Sequence, residues 1–224
     1  MNRRTLPALT ALATATTLLL TACGGESPEV DEKIPGAGES SAEASASASE
    51  KESGADAIDR PEMKFPGDMK VVLDWSQPSG ADQAAALHDA GEYMTAVNFG
   101  IDKQDPEDSA YKFYVVPLSS AHTFAKDMIK KHVDAGLTGT GSLRFSNGKV
   151  KVSDSGNSAS VTFCRDESKY FNKEVKSGKV QKTGVDENSY YAFTLIMERA
   201  KTPKGLWRAK DIAGERGASE CVGV

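Results

Sequence analysis

The chain has 224 residues, of which 39% are hydrophobic and 26% are charged, and its formal net charge is -5. The charge is unevenly distributed: residues 24–62 hold 11 acidic and 3 basic residues, whereas residues 63–224 hold 21 acidic and 22 basic residues. A nearly neutral main part lacks the basic footprint of a protein that binds nucleic acid. The sequence therefore predicts no nucleic-acid partner.

The first 22 residues have the layout of an export signal. Arg3 and Arg4 form a short basic start, an apolar stretch runs from Leu6 to Leu20, and small residues precede Cys23. An apolar stretch of this length is too short for a comfortable membrane span and is typical of a cleaved signal peptide. The paired arginines leave both the general and the twin-arginine export routes open.

The run Leu20-Thr21-Ala22-Cys23 resembles the lipobox of bacterial lipoproteins. In that family the cysteine sulfur receives a diacylglyceryl group and the peptidase cuts just before the cysteine. The resemblance implies that lipidated Cys23 attaches the mature chain to the extracytoplasmic face of the cell membrane, where two acyl chains give stable anchoring. The alternatives are a plain signal peptide with a chance cysteine, and an uncleaved anchor.

Residues 23–62 are rich in Ser, Ala, Glu and Gly, and the run from Ser40 to Glu50 has no large apolar residue. A segment of this composition cannot bury enough surface to offset the entropy lost on ordering. We therefore predict a signal peptide over residues 1–22, a disordered lipidated linker over residues 23–62, and one globular domain over residues 63–224.

The first half of the domain has the spacing of helices after one short strand. An apolar run over residues 69–75 predicts the strand, and apolar residues over 86–101 recur at helical spacing, with Asp82 as a candidate cap. A shorter helix with Tyr111 and Tyr114 is predicted after residues 105–108. A third helix is predicted to begin at Ser119 or Ser120 and to end at Gly136.

From residue 139 the apolar period changes to two, which is typical of strands. Asn147-Gly148 predicts a hairpin turn, and further turns are predicted at residues 154–157 and 176–179. Residues 191–197 are apolar at nearly every position, so we expect a central strand buried on both faces. Helices followed by strands favour an α+β fold, with N-terminal helices packed on a curved antiparallel sheet.

Three local patterns carry a further resemblance. They are Cys164-Arg165-Asp166 at an expected strand end, the Ser177-Gly178-Lys179 turn, and residues 195–199 with 205–208 as a closing hairpin. Together with the lipobox and linker, they resemble secreted actinobacterial lipoproteins with a cone-shaped domain similar to nuclear transport factor 2 and the SnoaL-like cyclases. The resemblance implies a cone-like sheet and, in the family's enzymes, an Asp/His or Asp/Tyr pair inside the pocket.

Lipidation of Cys23 leaves Cys164 and Cys221, and an extracytoplasmic compartment permits a disulfide between them. Such a bridge would pin the C-terminal tail to the sheet and close a loop of 57 residues, which stabilises by about 2–4 kcal/mol in the chain-entropy model. Two reduced buried thiols, or half of a metal site, are the alternatives.

No catalytic residue, metal ligand or cofactor site is predicted. His88, His122 and His132 lack the spacing of zinc ligands, and the acidic residues over 102–108 lack that of a calcium loop. Tyr93, Tyr114 and Trp207 are candidate pocket residues if the cone fold is present, and plain core residues otherwise.

Two classes of function remain from the sequence. The first is a non-enzymatic binding or interaction module of the cell envelope, with a small hydrophobic ligand or an envelope protein as partner. The second is a SnoaL-like cyclase or isomerase acting on a small hydrophobic molecule. An enzyme of that kind needs a carboxylate or histidine with a perturbed pKa inside the cone.

Overall fold

The structure is a computed structural model that describes residues 58–224. The predicted signal peptide, Cys23 and the predicted linker as far as residue 57 lie outside the described residues. Within residues 58–224, no helix combines the length and the apolar character needed to cross a membrane.

The first half of the domain contains one strand and three helices, as predicted. Their bounds are Met69–Asp74 (β1), Ala81–Lys103 (α1), Ser109–Phe113 (α2) and Ser120–Ala135 (α3). Ser119 caps α3, since its side chain accepts a hydrogen bond from the backbone N–H of His122, and Gly136 ends that helix at φ 65°. Asp82 does not cap α1 as expected: Gly80 is the N-cap residue and Asp82 lies in the first turn, where its negative charge favours the helix dipole.

The second half forms most of a six-stranded sheet. Its strands are Leu137–Val152 (β2), Ser158–Glu174 (β3), Val180–Gln181 (β4), Tyr190–Arg199 (β5) and Trp207–Arg216 (β6), with 3-10 turns at Glu187–Ser189 and Ser219–Cys221. The order is β1-β2-β3-β5-β6, and β4 pairs with β3. The α+β class is confirmed.

The sheet is mixed rather than wholly antiparallel, which corrects one part of the prediction. β1 pairs with β2 in parallel, with Met69 opposite Gly141 and Asp74 opposite Ser146, while the other named strand pairs are antiparallel. Parallel neighbours need a long crossover connection. The three helices supply it, because all of them lie between β1 and β2 in the chain.

The predicted hairpin at Asn147-Gly148 is wrong. Strand β2 continues through both residues, and its pairing with β3 shifts register between Ser146 and Lys149. Asn147 adopts φ 54°, so its left-handed backbone forms a β-bulge with one extra residue instead of a turn. The strand reverses at the second predicted turn, where Ser153 and Ser158 are hydrogen-bonded.

The sequence predicted a strand end at residues 164–166, but strand β3 runs on to Glu174. Between Asp166 and Lys169 its pairing with β2 again shifts register, and the Asp166 side chain accepts a hydrogen bond from the backbone N–H of Ser168 at 2.7 Å. An extra residue moves the side-chain alternation by one position. In a regular strand, Arg165 and Tyr170 would point to opposite faces because an odd number of positions separates them. With the extra residue, both line the face of the sheet that α3 covers.

The core lies between α1 and one face of the sheet, and the other face of β5 is exposed at Thr194 and Ile196. Phe193, Leu195 and Met197 are buried, whereas Ile196 is 37% exposed. The interior position of β5, between β3 and β6, is confirmed. The expected burial on both of its faces is wrong, because no helix or second sheet of the described chain covers the outer face at Ile196.

Candidate ligand-binding cavity

A cavity of about 580 Å³ lies between α3 and the end of the sheet formed by β3, β5 and β6. This volume is within the range of about 300–1,000 Å³ that is usual for small-molecule sites. The lining residues come from α3, β3, β5, β6 and the β4 region: Phe124, Met128, His132, Arg165, Glu167, Tyr170, Phe171, Asn172, Gln181, Thr183, Tyr191, Phe193, Gly214 and Arg216.

Helix α3 covers the cavity because two neighbouring stripes of its surface have different partners. Ala121, Ala125 and Ile129 are fully buried and belong to the core that α1 shares. Phe124, Met128 and His132, also spaced by four residues, face the cavity instead. Positions four apart lie on one side of a helix, so the sequence of α3 provides both a packing stripe and a cavity wall.

Aromatic rings form the apolar wall of the cavity. Phe193 lies with its centroid 6.1 Å from that of Tyr191, at an interplanar angle of 19°, and 6.3 Å from that of Phe124. Gly214 makes room for this arrangement, since a Cβ atom there would lie 2.6 Å from Cε1 of Phe193. The wall offers flat apolar surface of the kind that binds ring systems and alkyl chains.

Arg165 is the most unusual lining residue, because only 9% of its surface is exposed. One of its terminal nitrogens, Nη2, forms an ion pair with Glu167 at 2.6 Å. The carbon Cζ of its guanidinium lies 5.9 Å from the ring centroid of Tyr170 and 5.8 Å from that of Tyr191. Its Nε is buried without a hydrogen-bond partner among the described residues.

The two tyrosines beside Arg165 are neutral hydroxyl groups at physiological pH. Burial raises the pKa of Tyr170, against the lowering effect of Arg165. Burial and then the charge of Glu167 raise the pKa of Tyr191. Both hydroxyls therefore keep their protons and can donate hydrogen bonds within the cavity.

Arg216 adds a second positive charge at the exposed end of β6. Its Cζ lies 5.7 Å from the ring centroid of Tyr191, and its Nε donates a hydrogen bond to the backbone carbonyl of Asn188 at 3.0 Å. Within residues 58–224, no carboxylate forms an ion pair with Arg216. Its terminal nitrogens are therefore available near the cavity entrance.

His132 lies in the last turn of α3, which agrees with the expected helix-end position, and it also lines the cavity. Its Nδ1 lies 2.8 Å from the backbone carbonyl of Met128. A carbonyl accepts hydrogen bonds and does not donate them, so a hydrogen bond at this contact requires a proton on Nδ1. His88 Nδ1 contacts Asp89, and the His122 ring lies 5.8 Å from that of Tyr111.

A second depression, of about 650 Å³, lies along α3 and is lined by residues 120–134 of that helix alone. A single helix provides only one wall, so a ligand there stays largely in contact with water. The cavity over the sheet has walls from several elements and a buried cation, and we consider it the candidate site. No group of three or more His, Cys, Asp or Glu side chains in residues 58–224 is placed to hold a metal ion.

Comparison with known proteins gives similarity of fold only. No protein-family model matches the chain, and no curated protein matches it. The solved intermembrane space region of chloroplast protein ARC6 is similar at 13% identity and a TM-score of 0.38, over 62% of this chain and 98% of that chain. A nuclear transport factor 2-like superfamily protein from Salmonella enterica serovar Typhimurium LT2 is similar at 15% identity and a TM-score of 0.41, over 62% and 96%. Similarity at this level says nothing about ligand or activity.

The candidate pocket residues Tyr93, Tyr114 and Trp207 are all fully buried in the core. The Tyr93 hydroxyl donates a hydrogen bond to the backbone carbonyl of Ala121 at 2.7 Å, which joins α1 to α3. Burial raises the pKa of Tyr114 to about 12, and the guanidinium of Arg60 lies over its ring. None of the three lines the cavity described above. They are core residues, which was the alternative that the sequence left open.

The predicted disulfide between Cys164 and Cys221 is present. It lies on the face of β3 opposite the core, where Cys164, Cys221 and Ala218 form a small buried cluster of their own. Disulfides are characteristic of oxidising compartments, so the bridge indicates an extracytoplasmic domain.

Sequence reasoning missed Arg165 as a cavity residue, although one signal for it was present. Ala159, Val161 and Phe163 alternate toward the core, and Arg165 is next in the same alternation. An arginine that continues a buried stripe predicts a buried charge near a cavity or a partner. Tyr170 had no such signal, because the bulge after Asp166 reverses the alternation.

Proposed function

We propose that this chain is a lipid-anchored extracytoplasmic protein whose domain binds a small molecule in the cavity between α3 and the sheet. The anchor is supported by the lipobox-like run before Cys23, and the extracytoplasmic location by the disulfide. In this proposal residues 1–22 are the signal peptide, Cys23 carries the lipid, and the segment before the domain is a tether.

The cavity itself carries the binding proposal. Its wall combines stacked aromatic rings around Phe193 with a small number of polar groups around Arg165, the composition that is typical of small-molecule sites. A cyclase or isomerase is less well supported. A general base must be free to reach its substrate, and the carboxylate in this wall, Glu167, is held by Arg165 at 2.6 Å. The group that such an enzyme would need is therefore Nε2 of His132, because His132 Nδ1 contacts the Met128 carbonyl at 2.8 Å.

The anchor is tested with the full chain expressed in a bacterium that processes lipoproteins. Cys23→Ala should give unprocessed precursor, or protein released to the medium, because no thiol remains to accept the diacylglyceryl group. Ser27→Ala is the control and should remain membrane-bound and labelled by a radioactive fatty acid. Membrane-bound, lipid-labelled Cys23→Ala protein would falsify the anchor.

Binding is tested with N-phenyl-1-naphthylamine, a neutral fluorescent probe. The mature protein should bind it saturably at one site. Thr183→Trp places a large ring at the cavity entrance and should abolish binding, whereas Thr194→Trp, on the exposed outer face of β5, should leave it unchanged. Equal binding by both variants, or no saturable binding by the unsubstituted protein, would contradict the proposed function.

A further inference from the structure

We infer that the ligand is an anion, a carboxylate attached to an apolar or aromatic body, and that Arg165 is the residue that binds the carboxylate. This inference rests on the proposed function, because it specifies the chemical class of the ligand for the same cavity.

The first argument is the shortage of hydrogen-bond acceptors around Arg165. A guanidinium has five N–H donors and is always charged, and burying it is costly unless the charge is paired and the donors are bonded. Glu167 pairs with Nη2, while Nε has no partner among the described residues. A second carboxylate supplies acceptors for the remaining donors and can bind a guanidinium through both of its oxygens.

The second argument is the charge of the wall. Apart from His132, the charged lining residues are Arg165, Arg216 and Glu167, which sum to one positive charge. Both arginines lie within 6 Å of the Tyr191 ring, at 5.8 and 5.7 Å from its centroid. One monoanion near that ring therefore neutralises the wall, whereas a cation would add to an existing positive charge.

The third argument concerns the rest of the ligand. Phe124, Met128 and Phe193 form the apolar wall between α3 and the sheet, and none of them offers a strong hydrogen-bonding group. A small inorganic anion would leave this apolar surface uncovered by ligand. An organic acid can place its ring or alkyl chain against the apolar wall while its carboxylate reaches Arg165. The apolar wall and the charged group then each contact a matching part of the ligand.

The test uses two matched pairs of probes on the mature protein: 2-naphthoate with 2-naphthamide, and decanoate with decanamide. Each amide keeps the body of its acid but lacks the charge. Calorimetry should show each acid binding at least about tenfold more tightly than its amide, the ratio expected for one charge-assisted pair. Arg165→Gln should remove that preference and leave amide binding within about twofold.

Two further variants separate a ligand contact from a structural role. Glu167→Gln removes the carboxylate that competes for Arg165 and should strengthen acid binding, a gain that a purely structural role would not give. Arg216→Gln, at an exposed position, should weaken acid binding while amide binding stays the same. Arg144→Gln, outside the cavity and paired with Asp74, is the control and should change neither.

The outcomes distinguish the two proposals. Equal affinity for acid and amide in the unsubstituted protein overturns the anionic ligand, and an acid preference that survives Arg165→Gln overturns the role of Arg165. Either result leaves the binding cavity in place. Failure of all four probes, together with failure of N-phenyl-1-naphthylamine, overturns the proposed function itself. If Arg165→Gln does not fold, the other two variants test the proposal. Stronger acid binding by Glu167→Gln and weaker acid binding by Arg216→Gln support an anionic ligand, and unchanged acid binding by both overturns it.

Discussion

The carboxylate of Asp89, fully buried on α1, accepts a hydrogen bond at 2.8 Å from the backbone N–H of Trp207, the first residue of β6. Its other oxygen forms an ion pair with Arg60. Three segments that are far apart in the sequence thus meet at one carboxylate. Arg60 belongs to the segment that the sequence assigned to the linker, so packing against the domain already includes residues before 63.

Asp89→Ala should destabilise the domain strongly. The substitution removes the buried acceptor of the Trp207 N–H and of the Arg60 guanidinium. The Arg60 side chain is 29% exposed. Removing one partner of such a network costs about 2–4 kcal/mol. Urea denaturation followed by circular dichroism measures the change.

The control for Asp89 is Asp127→Ala, an exposed aspartate on α3. Its substitution should shift the free energy of unfolding by less than about 0.5 kcal/mol. If Asp89→Ala unfolded at the same urea concentration as this control, the carboxylate would not hold the three segments together.

Gly148→Ala should destabilise the bulge that replaces the predicted hairpin. A Cβ atom at residue 148 would lie 2.8 Å from Leu87 Cδ1 and 3.0 Å from Trp75 Cδ2, so side chains of α1 and of the segment after β1 would have to move. Overpacking of this kind costs about 1–3 kcal/mol. Thermal unfolding tests it against Gly184→Ala, where a Cβ meets nothing within 4 Å; equal melting temperatures would argue against close packing at the bulge.

The Asn147-Gly148 bulge shows why helices were easier to predict than strand pairing. The bounds of α3 follow from local signals, Ser119 at the start and Gly136 at the end, that need no distant partner. Asn-Gly favours a left-handed backbone, but a hairpin turn and a bulge both use that conformation. Contacts with Leu87 and with the opposite strand decide between the two, and no local pattern contains them.

The candidate site was predictable only in part for a related reason. The disulfide partners followed from counting cysteines in an exported chain, and Phe124, Met128 and His132 follow from the helical period. The location of the cavity depends on how far α3 lies from the sheet and on the bulge that turns Tyr170 inward. Aromatic periodicity alone pointed to Tyr93, Tyr114 and Trp207, because core and cavity residues have the same apolar signature.

Removing the disulfide should lower stability without unfolding the sheet. The Cys164→Ala/Cys221→Ala variant loses a crosslink across 57 residues, which corresponds to about 2–4 kcal/mol. Amide exchange over residues 217–224 should accelerate, although the Ser146 hydroxyl still donates a hydrogen bond to a backbone oxygen of Val224 at 3.1 Å. Intact-mass analysis of the unsubstituted protein checks the premise, and two freely alkylated thiols in the unreduced, denatured sample would refute it.

Glu107 should make the link between α2 and α3 sensitive to acid. Its carboxylate pairs with Lys112 of α2 at 2.6 Å and with Lys126 of α3, and the hydrogen bond from Lys112, followed by that from Lys126, lowers its pKa from 4.5 to about 2. A pKa that is lower in the folded protein means that the ionised carboxylate stabilises the fold. This contribution is complete above pH 4.5 and is lost as the pH falls from there through about 2.

Glu107→Gln should therefore unfold at a lower urea concentration than the unsubstituted protein at pH 7, and the difference should shrink between pH 4.5 and about 2. The effect is small, since the side chains of Glu107 and both lysines are more than a third exposed, and solvent and salt screen such pairs. The measurement therefore belongs at low ionic strength. Glu215→Gln, exposed on β6 and outside any ion pair of the described chain, is the control. A Glu107→Gln difference that stayed constant from pH 7 to pH 2.5, or that grew on acidification, would show that Glu107 does not stabilise the fold as an ionised partner of the two lysines.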